Sequence, residues 1–202
     1  MLDDAGHTDC IICASGDIDE YILSSLHQQG ARIDLYGIGT KLITSSLTPA
    51  LGGVYKLSCL QENGKWVPKM KFSDTIEKIT NPGIKTTYRI YGEDKMAEAD
   101  LICLRDETID TSKPLTIFHP LETWKRTTFE KYTVRNLMVE VFRDGKQVYT
   151  SPKLKDIAAY SRLVRSEFWE EYTRLINPHT YKVDLSDKLY ELKKKLTYEA
   201  SK

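Results

Sequence analysis

Two short loops hold the residue types from which a phosphate site can be built. Gly37-Ile38-Gly39-Thr40 sets two glycines one residue apart and is followed by Lys41. Backbone N–H groups there can turn toward one point with no side chain in the way. The Thr40 hydroxyl can add a hydrogen bond, and Lys41 adds a positive charge. This is the composition of an anion nest, and a plain tight turn uses the same residues. The second loop is Ser15-Gly16-Asp17. Asp17 can cap a helix, hydrogen-bond a sugar hydroxyl, or hold Mg2+ through water.

Other chemistry-bearing residues are scattered. Cys10 and Cys13 make a single CxxC, and Cys59 and Cys103 stand alone. The CxxC lies at and inside a predicted buried strand, where residues three apart point to opposite faces. Structural thiols in a reducing cytosol are therefore expected, rather than a metal or redox pair. His7, His27, His119 and His179 share no metal-ligand spacing, and the chain has no HExxH, GxSxG, P-loop or dinucleotide fingerprint. Lys69, Lys71, Lys78, Lys85 and Arg89 read as a basic cluster on β-hairpins. It is either a solvated face or electrostatic help for a phosphorylated ligand or a partner chain.

The elements that must position the two loops come from apolar spacing. Ile11, Ile12, Cys13 and Ala14 form a short run suited to a buried parallel strand. Asp17 then reads as a helix N-cap, with Glu20 at capping-box distance. Ile18, Tyr21, Ile22 and Leu26 recur at helical intervals, and Gly30 closes the helix. A second strand, Ile33 to Tyr36, leads into the glycine loop. The order is a βαβ crossover, and both loops fall at carboxyl ends of its strands, where such sheets receive ligands.

Beyond Thr44 the character changes. Asn63-Gly64 marks a hairpin between Val54–Leu60 and Lys65–Phe72. Lys85–Tyr91 and Glu98–Leu104 read as paired strands, with Leu115–Phe118 and Thr133–Phe142 as further strands and a turn at Arg143-Asp144-Gly145-Lys146. Ser151-Pro152 predicts the cap and first turn of one long helix running to about Ile176, stopped by Asn177-Pro178. A last amphipathic helix starts near Ser186. The expected organisation is a partial α/β region at 1–50, a β-rich region at 51–150 and a helical segment at 151–202.

Lys and Arg number 29, as do Asp and Glu, so the formal net charge is zero. That balance indicates neither nucleic acid nor an acidic membrane as partner. No apolar run approaches the roughly 20 residues of a membrane-spanning helix, and no signal peptide is evident.

Taken jointly, LDDAGHTDCIICASGDIDEY, GARIDLYGIGTKLITS, PALGGVYKL, KITNPGIKTTYRIY, FHPLETWKR and INPHTYKVDLSDKLYELK resemble the nicotinate phosphoribosyltransferase family, in its order and over nearly the whole chain. The resemblance implies an α/β fold: the carboxyl part of an irregular α/β barrel, a β-rich sandwich portion and C-terminal helices. It implies the joining of nicotinate to phosphoribosyl pyrophosphate, giving nicotinate mononucleotide in cytoplasmic NAD salvage. ATP hydrolysis and Mg2+ would be required, in a homodimer of the complete enzyme. Gly37, Ile38, Gly39 and Thr40 then correspond to the loop holding the ribose 5-phosphate, and Ser15, Gly16 and Asp17 to the ribose-side loop. Gly16 stands where asparagine is often expected. The family's nicotinate-clamping arginines and phosphorylated histidine belong to its upstream half, and none of the four histidines here matches that motif. The chain thus reads as the carboxyl portion of the enzyme, with the catalytic residues elsewhere. Two alternatives stay open: an inactive binding or assembly module, and a phosphoribosyltransferase acting on nicotinamide or quinolinate.

Overall fold

The first loop pair is carried by a small parallel sheet. In the computed structural model, which describes residues 1–75, 78–122 and 124–200, Thr123 of the FHPLETWKR stretch lies outside the described residues. The chain divides into two compact units, Met1–Val54 and Tyr55–Lys202.

In the first unit, β1 (Cys13–Gly16) is followed by α1 (Glu20–Gln28), β2 (Leu35–Ile38) and a single helical turn, α2 (Thr40–Ile43). The strands pair in parallel, from Cys13 beside Leu35 to Gly16 beside Ile38, so the crossover forms as expected. Both strands start two residues later than the apolar runs suggest. The reason is a clasp at their entrance: the Asp34 carboxylate accepts from the Ile12 amide at 2.8 Å, and the Ile12 carbonyl accepts from the amides of Asp34 and Leu35. Burial also differs from expectation. β1 and β2 have only exposed and half-buried residues, and Cys10 and Cys13 are exposed free thiols. Among the described residues this sheet has just two strands.

The cap of α1 is Asp19, not Asp17. Asp19 has extended backbone, and its Oδ1 accepts from the amides of Tyr21 at 3.1 Å and Ile22 at 2.9 Å. Ile18, just before it, is buried, which sets where the chain turns into the helix. The far end is as expected. Gly30, at φ 71°, donates to the His27 carbonyl while Ala31 donates to Leu26. This is a Schellman closure that needs a left-handed residue.

The second unit opens with the hairpin of β3 (Cys59–Glu62) and β4 (Lys65–Pro68). Asn63 and Gly64 both take positive φ at its turn, as a type I′ turn demands. Next come β5 (Lys85–Tyr91), β6 (Ala97–Leu104), β7 (Leu115–Phe118), β8 (Arg126–Phe129) and β9 (Thr133–Asn136), then a short hairpin of β10 (Phe142–Arg143) and β11 (Lys146–Gln147). The chain ends with α3 (Leu154–Arg165), α4 (Glu170–Thr173), β12 (Val183–Ser186) and α5 (Asp187–Ala200). One mixed sheet organises these, in the order β8-β7-β12-β6-β5-β9. β12 runs parallel to β6 and antiparallel to β7.

Strict alternation makes β6 the centre. Ala97, Ala99, Leu101 and Cys103 are buried and the residues between them half-buried. Ile90, Ile117 and Tyr132 complete that core face. Phe118, pointing away from Ile117, stacks on Tyr190 of α5 with ring centroids 4.7 Å apart.

Several expectations change here. β8 and β12 are additional strands. The strand expected over Thr133–Phe142 stops at Asn136, whose Oδ1 accepts from the Met138 amide. The expected helix from Ser151 to Ile176 is two helices, and Lys153 rather than Ser151 is its N-cap. It breaks at Ser166–Trp169, where the Glu167 carbonyl accepts from the Ala97 amide at 2.7 Å. α5 starts where expected, with Ser186 Oγ accepting from the Leu189 amide.

Candidate functional site

The β1/β2 register sets the two glycine-bearing loops side by side at the carboxyl ends of the strands. Ser15 stands next to Gly37, and Gly16 next to Ile38. A Cβ on Gly37 would come within 3.2 Å of the Ser15 Cβ, so glycine allows the close approach. Gly16 has φ 135°, a conformation that side chains resist. Gly39 is the N-cap of α2, and its carbonyl accepts from the amides of Leu42 and Ile43, both at 3.1 Å. Thr40 and Lys41 open the helical turn. The Thr40 carbonyl is taken by the Thr44 amide at 3.0 Å and the Thr44 hydroxyl at 2.7 Å.

First-turn amides have no acceptor within a helix. Gly39 and Thr40 are exposed, so their backbone donors stand at the surface. Lys41 lines a hollow of about 270 Å³ with Glu20, Ser45 and Thr48. Asp17 is exposed, and with capping supplied by Asp19 its carboxylate is not committed to the helix. Among the described residues no group of three or more His, Cys, Asp or Glu could hold a metal ion. The donor set here therefore does not fit a directly ligated resident metal; one carboxylate fits only a water-bridged ion carried by a ligand.

A second concentration of charge lies inside the other unit and escapes sequence reading, because its bonded partners are up to 81 residues apart. Arg89 donates to both oxygens of Asp100, at 2.8 and 3.1 Å. Arg135 forks onto Glu167 at 2.7 and 2.8 Å. Tyr91 donates to Glu167 at 2.8 Å, and Tyr181 to Asp100 at 3.2 Å. The Arg89 guanidinium also lies 4.6 Å from the centroid of the Phe168 ring. Burial would push the Glu167 carboxyl up, but hydrogen bonds from Arg135 and Tyr91 and both arginine charges outweigh it and hold it below its ordinary value. Burial, then the bond to Glu167, raises the Tyr91 hydroxyl to about 12. These groups satisfy one another, so the network ties β5, β6 and β9 to the segment after α3.

The expected basic cluster is thereby dispersed. Arg89 is internal, Lys69 pairs with Glu62 at 2.6 Å, and Lys85 donates to the Gly83 carbonyl at 2.6 Å. Burial lowers the Lys85 ammonium. One buried carboxyl stands apart. Asp184 has an Oδ1 with no hydrogen-bond partner among the described residues, and burial raises it against the charges of His119 and Lys182.

Residues 84–193 match the family model described as the nicotinate phosphoribosyltransferase C-terminal domain. The chain is 42% identical over 200 residues to the nicotinate phosphoribosyltransferase of Bacillus subtilis (strain 168), covering 98% of this chain and 41% of that protein. It is 36% identical over 182 residues to the Caenorhabditis elegans enzyme of the same name, covering 89% of this chain and 32% of that protein. The crystal structure of human nicotinic acid phosphoribosyltransferase superposes with a TM-score of 0.71 at 27% identity, over 94% of this chain and 33% of that one. The chain therefore spans less than half the length of these relatives.

Proposed function

The chain belongs to the nicotinate phosphoribosyltransferase family, and from that premise we propose that it supplies the phosphate end of the phosphoribosyl pyrophosphate site in a nicotinate phosphoribosyltransferase. The observation that carries the reading is the β1/β2 register, which brings Ser15 and Gly16 beside Gly37 and Ile38. On this reading the amides at Gly39 and Thr40 and the Thr40 hydroxyl bind the 5-phosphate, with Lys41 adding positive charge. Ser15 and Asp17 hydrogen-bond the ribose hydroxyls; Gly16 gives backbone only.

The reaction joins the pyridine nitrogen of nicotinate to C1′ of the ribose while the bond from C1′ to the pyrophosphate oxygen breaks. This chain's share is positioning. Fixing the phosphate at one end of the ribose holds C1′ where the base reaches it, and such restriction of motion accelerates a bimolecular step. The complete enzyme would have an irregular α/β barrel and a sandwich domain, act as a cytoplasmic homodimer in NAD salvage, and couple ATP hydrolysis to the reaction. Mg2+ would arrive with the substrate, with Asp17 reaching it through water.

Gly39→Val, made in a complete enzyme containing this sequence, should raise the KM for phosphoribosyl pyrophosphate by about ten-fold or more. The KM for nicotinate should change little. Unaltered kinetics would remove the phosphate assignment.

A second reading has its own support in the thinly covered β1–β2 pair: the chain alone is a non-catalytic assembly module. Nicotinate mononucleotide formation by the purified 202-residue chain, at rates comparable with complete enzymes, would overturn it.

A further inference from the structure

The register between β7 and β12 sets a carboxyl opposite an imidazole. Leu185 pairs with Phe118 and Ser186 with Ile117, so one step further along the same ladder Asp184 stands across from His119. Residues directly opposite in an antiparallel pair share a face of the sheet, with Cβ atoms about 5 Å apart. On its other side Asp184 pairs in parallel with Leu101, a fully buried residue of the core. The carboxyl is 3% exposed, and its Oδ1 has no hydrogen-bond partner among the described residues. Buried polar atoms are almost always paired, so an orphan of this kind needs an explanation.

His119 could supply the donor, but its ring is engaged elsewhere. Its Nδ1 accepts from the amides of Glu122 at 2.9 Å and Leu121 at 3.3 Å. A ring nitrogen accepts only when it carries no proton, so the neutral ring, with its hydrogen on Nε2, is the form that holds this turn. The other charges around the pair are committed too. Lys182, two residues before Asp184, donates to Thr127 of β8 at 2.8 Å. Lys125 pairs with Glu122, whose Oε2 lies 3.9 Å from His119 Nε2. Lys193 of α5 donates to the Asn81 side chain and the Pro120 carbonyl, both at 3.0 Å. From β6 the pair meets only the apolar Leu101.

A proton on Nδ1 reverses the arrangement, because an imidazolium has two donors and no acceptor. We propose that His119 and Asp184 form a proton-operated latch. The neutral ring pins the turn at 119–122; the imidazolium releases its two amides and donates to the Asp184 carboxylate across the ladder. Histidine is the side chain suited to such a change in mild acid. Burial raises the Asp184 carboxyl against the charges of His119 and Lys182, so the two members charge together. The segment released carries Trp124, 75% exposed, and acid thereby alters what this end of the sheet presents. The latch depends neither on the phosphate loop nor on the proposed reaction.

Hydrogen exchange of the 202-residue chain tests it, read as protection relative to an unstructured chain at the same pH. Protection of the Leu121 and Glu122 amides should fall about five-fold or more between about pH 7.5 and about pH 5.5, while that of Leu101 and Ile117 holds. Ring nitrogen NMR should show Nδ1 gaining its proton over the same range. His119→Asn puts an amide oxygen in place of Nδ1, which accepts at every pH, so its protection should not change. Asp184→Asn keeps the shape, removes the charge and should carry the loss to lower pH. Circular dichroism at neutral pH should match the parent for both variants; if Asp184→Asn departs from it, the ring NMR and His119→Asn decide. Constant protection in the parent, a ring that carries its hydrogen on Nδ1 when neutral, a persisting fall in His119→Asn, or an unshifted fall in folded Asp184→Asn would each overturn the proposal.

Discussion

Asp17 and Asp19 differ by two positions and by role. Either can be written as an N-cap, because each precedes the periodic apolar residues of α1 at an acceptable distance. Only Asp19 makes the bonds. Asp19→Ala should therefore lower stability by about 1 kcal/mol, read from urea denaturation followed by helical circular dichroism. Asp17→Ala should stay within a few tenths of a kcal/mol. The reverse order would return the cap to Asp17. At this scale glycines were the most legible residues. Gly30 and Gly64 each sit where a left-handed backbone is required, and that requirement is local. Asp184 was illegible because its isolation is created by residues far from it in sequence.

Elements whose own residue types favour a strand were legible, and those decided by distant partners were not. Lys85–Tyr91 and Leu115–Phe118 carry their own pattern and form as read. Residues 166–169 look helical by composition, but Glu167 is drawn to Arg135, Tyr91 and the Ala97 amide, and Phe168 lies against Arg89. Removing the Glu167 carboxylate leaves two arginines without it in a half-buried setting. Glu167→Ala should cost about 2 kcal/mol, reduced from the fully buried case because Arg135 is partly solvated. Its pH dependence has a definite sign. The Glu167 carboxyl is held below its ordinary value in the folded chain, so its stabilisation is fully present above that ordinary value. It is lost as pH falls through the lowered folded value. Urea midpoints of parent and Glu167→Gln should differ at pH 7 and converge in strong acid; a constant gap would contradict the assignment.

Over the whole molecule, the division into two units accompanies a difference in covering. The second unit has a continuous buried core around Leu101 and Ile117. In the first unit the two strands are largely open. The sequence reading puts the change from βαβ pattern to hairpin pattern beyond Thr44, with a boundary at 50, and the two compact units meet at Val54 and Tyr55. That the final helical stretch would be preceded by a strand was not visible, because Val183–Ser186 is held as a strand by β6 and β7, which lie far from it in sequence. A chain ending at Thr180 should lose amide protection in β7 and β8 more than in β5 and β6, measurable by hydrogen exchange. Equal retention would mean that β12 is dispensable.

That strand has a consequence for the order in which the protein takes shape. Among the described strands β12 comes last in chain order, and it lies third of six in the sheet, between β7 and β6. Until it arrives, β7–β8 and β6–β5–β9 are separate ribbons with facing unpaired edges, and joining them requires contacts over about 80 residues of chain. Such distant closures are slow, and they expose edges to other nascent chains while they wait. Synthesis thus supplies the middle of this sheet after the strands on both sides of it, and chaperone demand should rise until β12 emerges.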